Sequence, residues 1–284
     1  MELFRMIKSD AKRAMRFCGG RTVAAMAAVL LAYFAVNLTE SVLLVIFCGE
    51  KAFYSDLVSL AKSFPAVVPI LAGTTALWFI LIPALLVGYK KLHLSFAEGN
   101  DESISLIFER FSSFKKYIGS FFFGIGYAAR IFLYLAIAVL PGGAFLWFAE
   151  TYIPEGNRTL SILKISACGI AVTIMILCIF LALIFIQRWS LAVYYYAEGE
   201  GIRKSFALSV KAAKGNHARI LNFKFSFAVW GVVSLLILPL IWTVPYYELS
   251  NAIFAKYLME RYERSLAEVP EIIETEEELT EEKD

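Results

Sequence analysis

Five long apolar stretches, at roughly 22–48, 65–88, 118–140, 162–186 and 220–244, constrain this 284-residue chain more than any other feature. Each is long enough to cross a hydrocarbon layer of about 30 Å at the helical rise of 1.5 Å per residue. Inside that layer water satisfies no backbone N–H or C=O, so each stretch must be a helix that pairs its own groups. Only 18% of residues are charged and 59% are hydrophobic, with a mean hydropathy of +0.66. Soluble domains carry about 25% charged residues, and one this apolar would expose patches that aggregate. The sequence therefore predicts an all-α, polytopic transmembrane helical bundle with five spans.

The net charge of +2 conceals a segregation. Lysine and arginine number six before the first span, five in 89–117 and six in 187–219, but only two in 49–64 and one in 149–161. Basic loops resist translocation, which puts the N-terminus and the two basic loops in the cytoplasm. Residues 1–21 read as a retained anchor segment: the basic region is long, and no small-x-small cleavage site follows it. The basic residues flank spans and form no single patch, so the charge pattern argues against nucleic acid as a partner. Three regions result: a basic amphipathic helix over 1–21, a transmembrane helical domain over 22–262, and an acidic, disordered tail over 263–284. Nine of the last 17 residues are acidic.

Leu3, Ile7, Ala11 and Ala14 form one stripe of the N-terminal helix, with Arg5, Lys8, Lys12, Arg13 and Arg16 largely elsewhere. Such a helix is expected to lie on the anionic inner leaflet. Two cytoplasmic segments, 104–117 and 202–214, show the same amphipathic period. Ala97-Glu98-Gly99 recurs as Ala197-Glu198-Gly199, each after a span and before an amphipathic helix, which suggests a parallel internal repeat. Residues 245–262 carry Glu248, Lys256, Glu260 and Arg261, too polar to face lipid cheaply. A short buried sixth span and an interfacial helix are both open for them.

Charged residues within spans narrow the functional reading. Glu40 and Arg130 interrupt the first and third spans, and a cation at a span centre costs about 2.5–3.5 kcal/mol on insertion scales. An intramembrane Glu40–Arg130 ion pair would relieve both. Arg188 and Lys224 lie near the inner end of their spans, where with Arg130 they would form a basic pocket for a phosphate-bearing lipid or an anionic solute. The four cysteines match neither a zinc site nor a redox pair, and His93 and His217 lack ligands at metal spacing. No phosphate loop, Gly-x-Ser-x-Gly or His-Glu-x-x-His occurs. No catalytic residue, cofactor or metal is expected.

Arg188-Trp189-Ser190, Ser209 followed by Lys214-Gly215-Asn216-His217, Ser226-Phe227-x-x-Trp230 and Pro245-Tyr246-Tyr247-Glu248 occur in that order. The combination, over about 85–260, resembles a bacterial integral membrane family of unknown function, the nine-seven-five group of such domains. That family is distantly similar to the membrane domain of some glycerophosphodiester phosphodiesterases. Pro141-Gly142 resembles its turn between two spans, although the segment from Gly143 to about Lys164 is longer here. The resemblance implies a multi-pass protein of the bacterial cytoplasmic membrane and assigns no activity. The expected function is non-enzymatic handling or transport of an anionic small molecule or lipid, with inner-leaflet lipids as partners. The alternative is a membrane scaffold or regulator recruiting an unidentified protein through its terminal segments.

Overall fold

The computed structural model describes residues 2–54, 56–153, 156, 158–234 and 237–281; side chains at 53, 54, 57, 237, 238 and beyond 267 lie outside the description. Every regular element among the described residues is helical. In order they are α1 (Glu2–Cys48), α2 (Lys51–Tyr54), α3 (Leu57–Ser63), α4 (Val67–Ala97), a 3-10 segment Ile104–Phe111, and α5 (Phe114–Tyr152). There follow α6 (Arg158–Ile186), a 3-10 turn Gln187–Trp189, α7 (Ala192–Ala197), α8 (Ile202–Ala212), α9 (His217–Phe225), α10 (Ala228–Val233) and α11 (Ile237–Glu281). Among the described residues four helical runs are long and apolar enough to cross a membrane: α1, α4, α5 and Arg158–Ala197. The chain divides into two units. The first holds Met1–Ile125, Tyr196–Ile202 and Phe227–Tyr257, and the second holds Gly126–Tyr195, Arg203–Ser226 and Leu258–Asp284.

In the first unit α1 runs unbroken through the boundary expected near residue 21. Its N-terminal stripe is spent on protein: Ile7 and Ala11 are fully buried, and Phe4 meets Phe254 edge-on at 6.1 Å. The segment expected to lie on the leaflet therefore continues without a break into the first apolar stretch, and part of its apolar stripe is covered by protein. Ala25, Met26, Leu85, Tyr89 and Leu92 belong to one core that joins α1 to α4. Ile107 of the 3-10 segment enters the same core over Gly88, where a Cβ would stand 2.0 Å from the Ile107 carbonyl oxygen. The chain leaves α4 through Gly99 and α7 through Gly199, with φ of +88° and +106°, the left-handed geometry that ends helices. Carbonyls before these turns are met by cations: Arg110 donates to Tyr196 O at 2.8 Å and Ala197 O at 3.2 Å, and Lys256 reaches Ala97 O at 3.5 Å.

The fifth apolar stretch does not form one rod. It is shared among α9, α10 and the start of α11. Phe227 touches Tyr246 and Tyr247, with ring centroids 5.7 and 5.2 Å apart. In a straight helix residues 19 apart would be separated by about 28 Å, so the chain doubles back between them. Serine hydroxyls mark the interruptions: Ser226 bonds Phe223 O at 2.6 Å and Ser234 bonds Trp230 O at 2.7 Å, a competition that loosens helices. Pro239 then sits in the first turn of α11, where its missing N–H costs nothing. From there α11 packs beside the ends of α1 and α4. Tyr246 donates to Lys8 O at 3.2 Å, and Glu248 pairs with Lys90. Two of the polar residues that made 245–262 too costly for lipid, Glu248 and Lys256, are thus used on α4. Backbone helix continues to Glu281, through most of the segment expected to be disordered; its glutamates and leucines have high helix propensity.

Glu109 bridges Lys91 and Lys116 and ties the 3-10 segment to α4 and α5. Burial alone would raise its pKa, but hydrogen bonds and charge from the two lysines win and hold it at about 2. A carboxylate depressed in the folded state stabilises above its unfolded pKa near 4.5, and that stabilisation disappears as pH falls towards 2. Glu109→Gln should therefore cost about 1–2 kcal/mol at pH 7, screening included, and about a quarter of that at pH 2.5. Thermal unfolding in detergent at the two pH values checks this; a constant gap would contradict it.

Candidate functional site

In the second unit, α5 extends much further than the sequence suggested. Pro141 lies inside the helix, not in a turn, and the helix ends only at Tyr152. Gly142 makes this packing tolerable, because a Cβ there would come within 2.6 Å of Met175 Cβ and 2.8 Å of Ala171 O on α6. Residues 131–149 are uncharged, and their 19 residues span about 28 Å. Arg130 therefore stands at one end of an apolar run long enough to cross, not at its centre. At the other end Lys164 pairs with Glu150 at 2.8 Å.

The α6 helix tightens at Gln187–Trp189, and three side chains repair the break. Ser209, fully buried, donates to Arg188 O at 2.8 Å and accepts from Leu191 N at 3.2 Å. These are backbone groups that a regular helix would have paired internally. Gln187 donates to Leu183 O at 2.9 Å and accepts from Lys224 at 2.7 Å. Lys224 is thereby held against the same turn.

The two arginines come to this turn from different helices. Arg188 donates to the Tyr134 hydroxyl at 3.1 Å, and Tyr134 packs edge-on against Trp189 at 4.9 Å. Tyr134 lies one helical turn from Arg130. Arg130 donates to Gly126 O at 2.7 Å and covers the Phe206 ring at 3.9 Å, one turn of α8 from Ser209. Of Arg130, Arg188 and Lys224, singled out from sequence as a set, the last two meet at the 3-10 turn, and Arg130 reaches α8 through Phe206, one turn from the Ser209 that bonds this turn. Among the described residues neither Arg130 nor Arg188 meets a carboxylate. A guanidinium has five N–H donors, and each of these uses one on a neutral acceptor. Ser190 Oγ and His217 Nδ1, both buried, have no hydrogen-bond partner among the described residues. Burial, and then the charge of Arg188, lower the His217 pKa. Excess cation and unspent polar atoms suit this network to holding a phosphate or carboxylate.

Glu40 belongs to the first unit, where its carboxylate accepts from Thr74 at 2.7 Å. Arg130, its partner in the expected ion pair, belongs to the second unit, and each of the two has a neutral hydrogen-bond partner within its own unit. Sequence reasoning did not single out Tyr134 or Gln187, and named Ser190 only as part of the segment Arg188-Trp189-Ser190. Tyr134 was accessible as the residue one turn from Arg130, whereas Gln187 and Ser190 acquire roles only through the 3-10 turn. Two cavities, one lined by Lys12, Met15, Arg16, Trp230, Trp242, Thr243 and Tyr246 and one by apolar residues from Val29 to Tyr89, lie in the first unit. No family model, curated protein or solved structure matches the chain.

Proposed function

We propose that the chain is a multi-pass protein of a bacterial cytoplasmic membrane that binds an anionic amphiphile or solute at the inner face and handles it without chemical change. Arg130, Arg188 and Lys224 receive the anion, with Ser190 and His217 supplying the remaining polar contacts. The observation that carries this reading is the pair of half-buried arginines whose hydrogen bonds among the described residues go to neutral groups. Such charges are costly to keep near hydrocarbon and are retained where a counter-charge arrives.

In this reading the N-terminus is cytoplasmic and the four long helices cross the bilayer. Segment 220–244 enters from the inner face and returns as a re-entrant hairpin, which leaves the acidic tail in the cytoplasm as well. The Gly99 and Gly199 turns, each followed by a helical segment, support the parallel repeat. The test is native mass spectrometry of the protein released from bilayers that contain phosphatidylglycerol and phosphatidylcholine. The Arg130→Gln/Arg188→Gln variant should lose one phosphatidylglycerol from its adduct series, binding at that one site weakening at least about tenfold, since charge-assisted hydrogen bonds contribute about 1.5–3 kcal/mol each. Phosphatidylcholine adducts should not change. Unaltered phosphatidylglycerol adducts would refute the assignment.

A further inference from the structure

The cavity of about 480 Å³ in the first unit has a different composition from the arginine network. Lys12 and Arg16, one turn apart on α1, form one side with Met15. Trp230 from α10 and Trp242, Thr243 and Tyr246 from α11 form the other. Both tryptophans are unusually open, 51% and 62% exposed, although the hairpin brings them to one groove. Among the described residues neither Lys12 nor Arg16 meets a carboxylate. The volume falls within the 300–1,000 Å³ typical of small-ligand sites.

We propose that this groove seats one anionic phospholipid of the inner leaflet, its phosphate between Lys12 and Arg16 and an acyl chain along Trp230 and Trp242. The proposal rests on the cytoplasmic placement of the N-terminus and is independent of the arginine network. Two observations point to a lipid. Tryptophan is favoured at the membrane interface, where an apolar ring meets hydrated headgroups. Arg16 also lies only a few residues before the apolar run that begins at Thr22, which places the cations at headgroup depth and the rings towards the chains. A water-soluble phosphate ester shares the headgroup chemistry but leaves both indole faces uncovered.

The experiment uses the full chain with Trp242 as its only tryptophan, the other four replaced by phenylalanine, reconstituted in phosphatidylcholine. Brominated phosphatidylglycerol or brominated phosphatidylcholine is added at equal mole fraction, and quenching gives their relative association constants. About tenfold preference for the anionic lipid is expected, since a basic side chain at the surface contributes about 1 kcal/mol, or roughly fivefold. Lys12→Gln/Arg16→Gln should abolish that preference and leave quenching by phosphatidylcholine intact, which also shows that the fold survives. Arg5→Gln/Arg13→Gln removes the same charge from the same helix outside the groove and should retain it, as should Arg130→Gln/Arg188→Gln. Inorganic phosphate at millimolar concentration should not compete. Equal quenching by the two lipids, equal losses in the Lys12/Arg16 and Arg5/Arg13 variants, or displacement by free phosphate would overturn the proposal.

Discussion

Gly88→Ala is expected to destabilise the first unit by about 3 kcal/mol, at the upper end for overpacking a well-filled core. The new methyl would lie 2.0 Å from the Ile107 carbonyl oxygen and 2.9 Å from its Cα. These are backbone atoms, so no rotamer change relieves the clash; the whole 3-10 segment has to lift. Lifting it uncovers fully buried Ile107 and pulls Glu109 from Lys91. Gly73→Ala, on the same helix with nothing within 4 Å of the added carbon, should be neutral or slightly stabilising. Thermal or denaturant unfolding of the two variants in detergent gives the comparison, and similar midpoints would contradict the packing described.

Breaking the Lys90–Glu248 pair should have an effect of similar size. Both side chains are only 16% exposed, and removing one partner strands a charge in a poorly hydrated place. Breaking a fully buried pair costs about 3–5 kcal/mol, so Glu248→Gln should cost about 2–3 kcal/mol here, given the residual exposure. Lys90→Met/Glu248→Leu should recover much of the loss, since an apolar pair of similar volume has no desolvation penalty. A double-mutant cycle reads the coupling directly. Additive single losses would mean that the two residues stabilise the unit separately.

The long helices were legible because hydropathy is summed over 20 or more residues and survives local detail. What misled was punctuation. Pro141-Gly142-Gly143 reads as the end of a span, yet in a membrane helix proline is tolerated and glycine admits a neighbouring helix. Reading a break there set Arg130 near the middle of a shorter apolar stretch, which motivated a pairing with Glu40. Conversely, 220–244 has no break as strong as that run, but Ser226 and Ser234 interrupt it and Phe227 folds back onto Tyr246. Hydropathy cannot distinguish one crossing from a hairpin of two short helices, because both bury the same apolar side chains. The set Arg130, Arg188 and Lys224 could be found from cost alone: cations near hydrocarbon need a reason. Its supporting partners Ser209 and Gln187 could not, because their roles exist only once α6 tightens into the 3-10 turn.

Site-directed labelling of the topology tests the central claim, four crossings with both termini on the cytoplasmic side. With Cys18, Cys48, Cys168 and Cys178 replaced by serine, Ser103→Cys, Gly156→Cys and Thr280→Cys are introduced singly. Intact cells are then treated with a membrane-impermeant maleimide. The account predicts labelling at position 156 alone, with positions 103 and 280 reacting only after the membrane is permeabilised. Labelling of position 280 from outside intact cells would mean that 220–244 crosses the bilayer, and would contradict it.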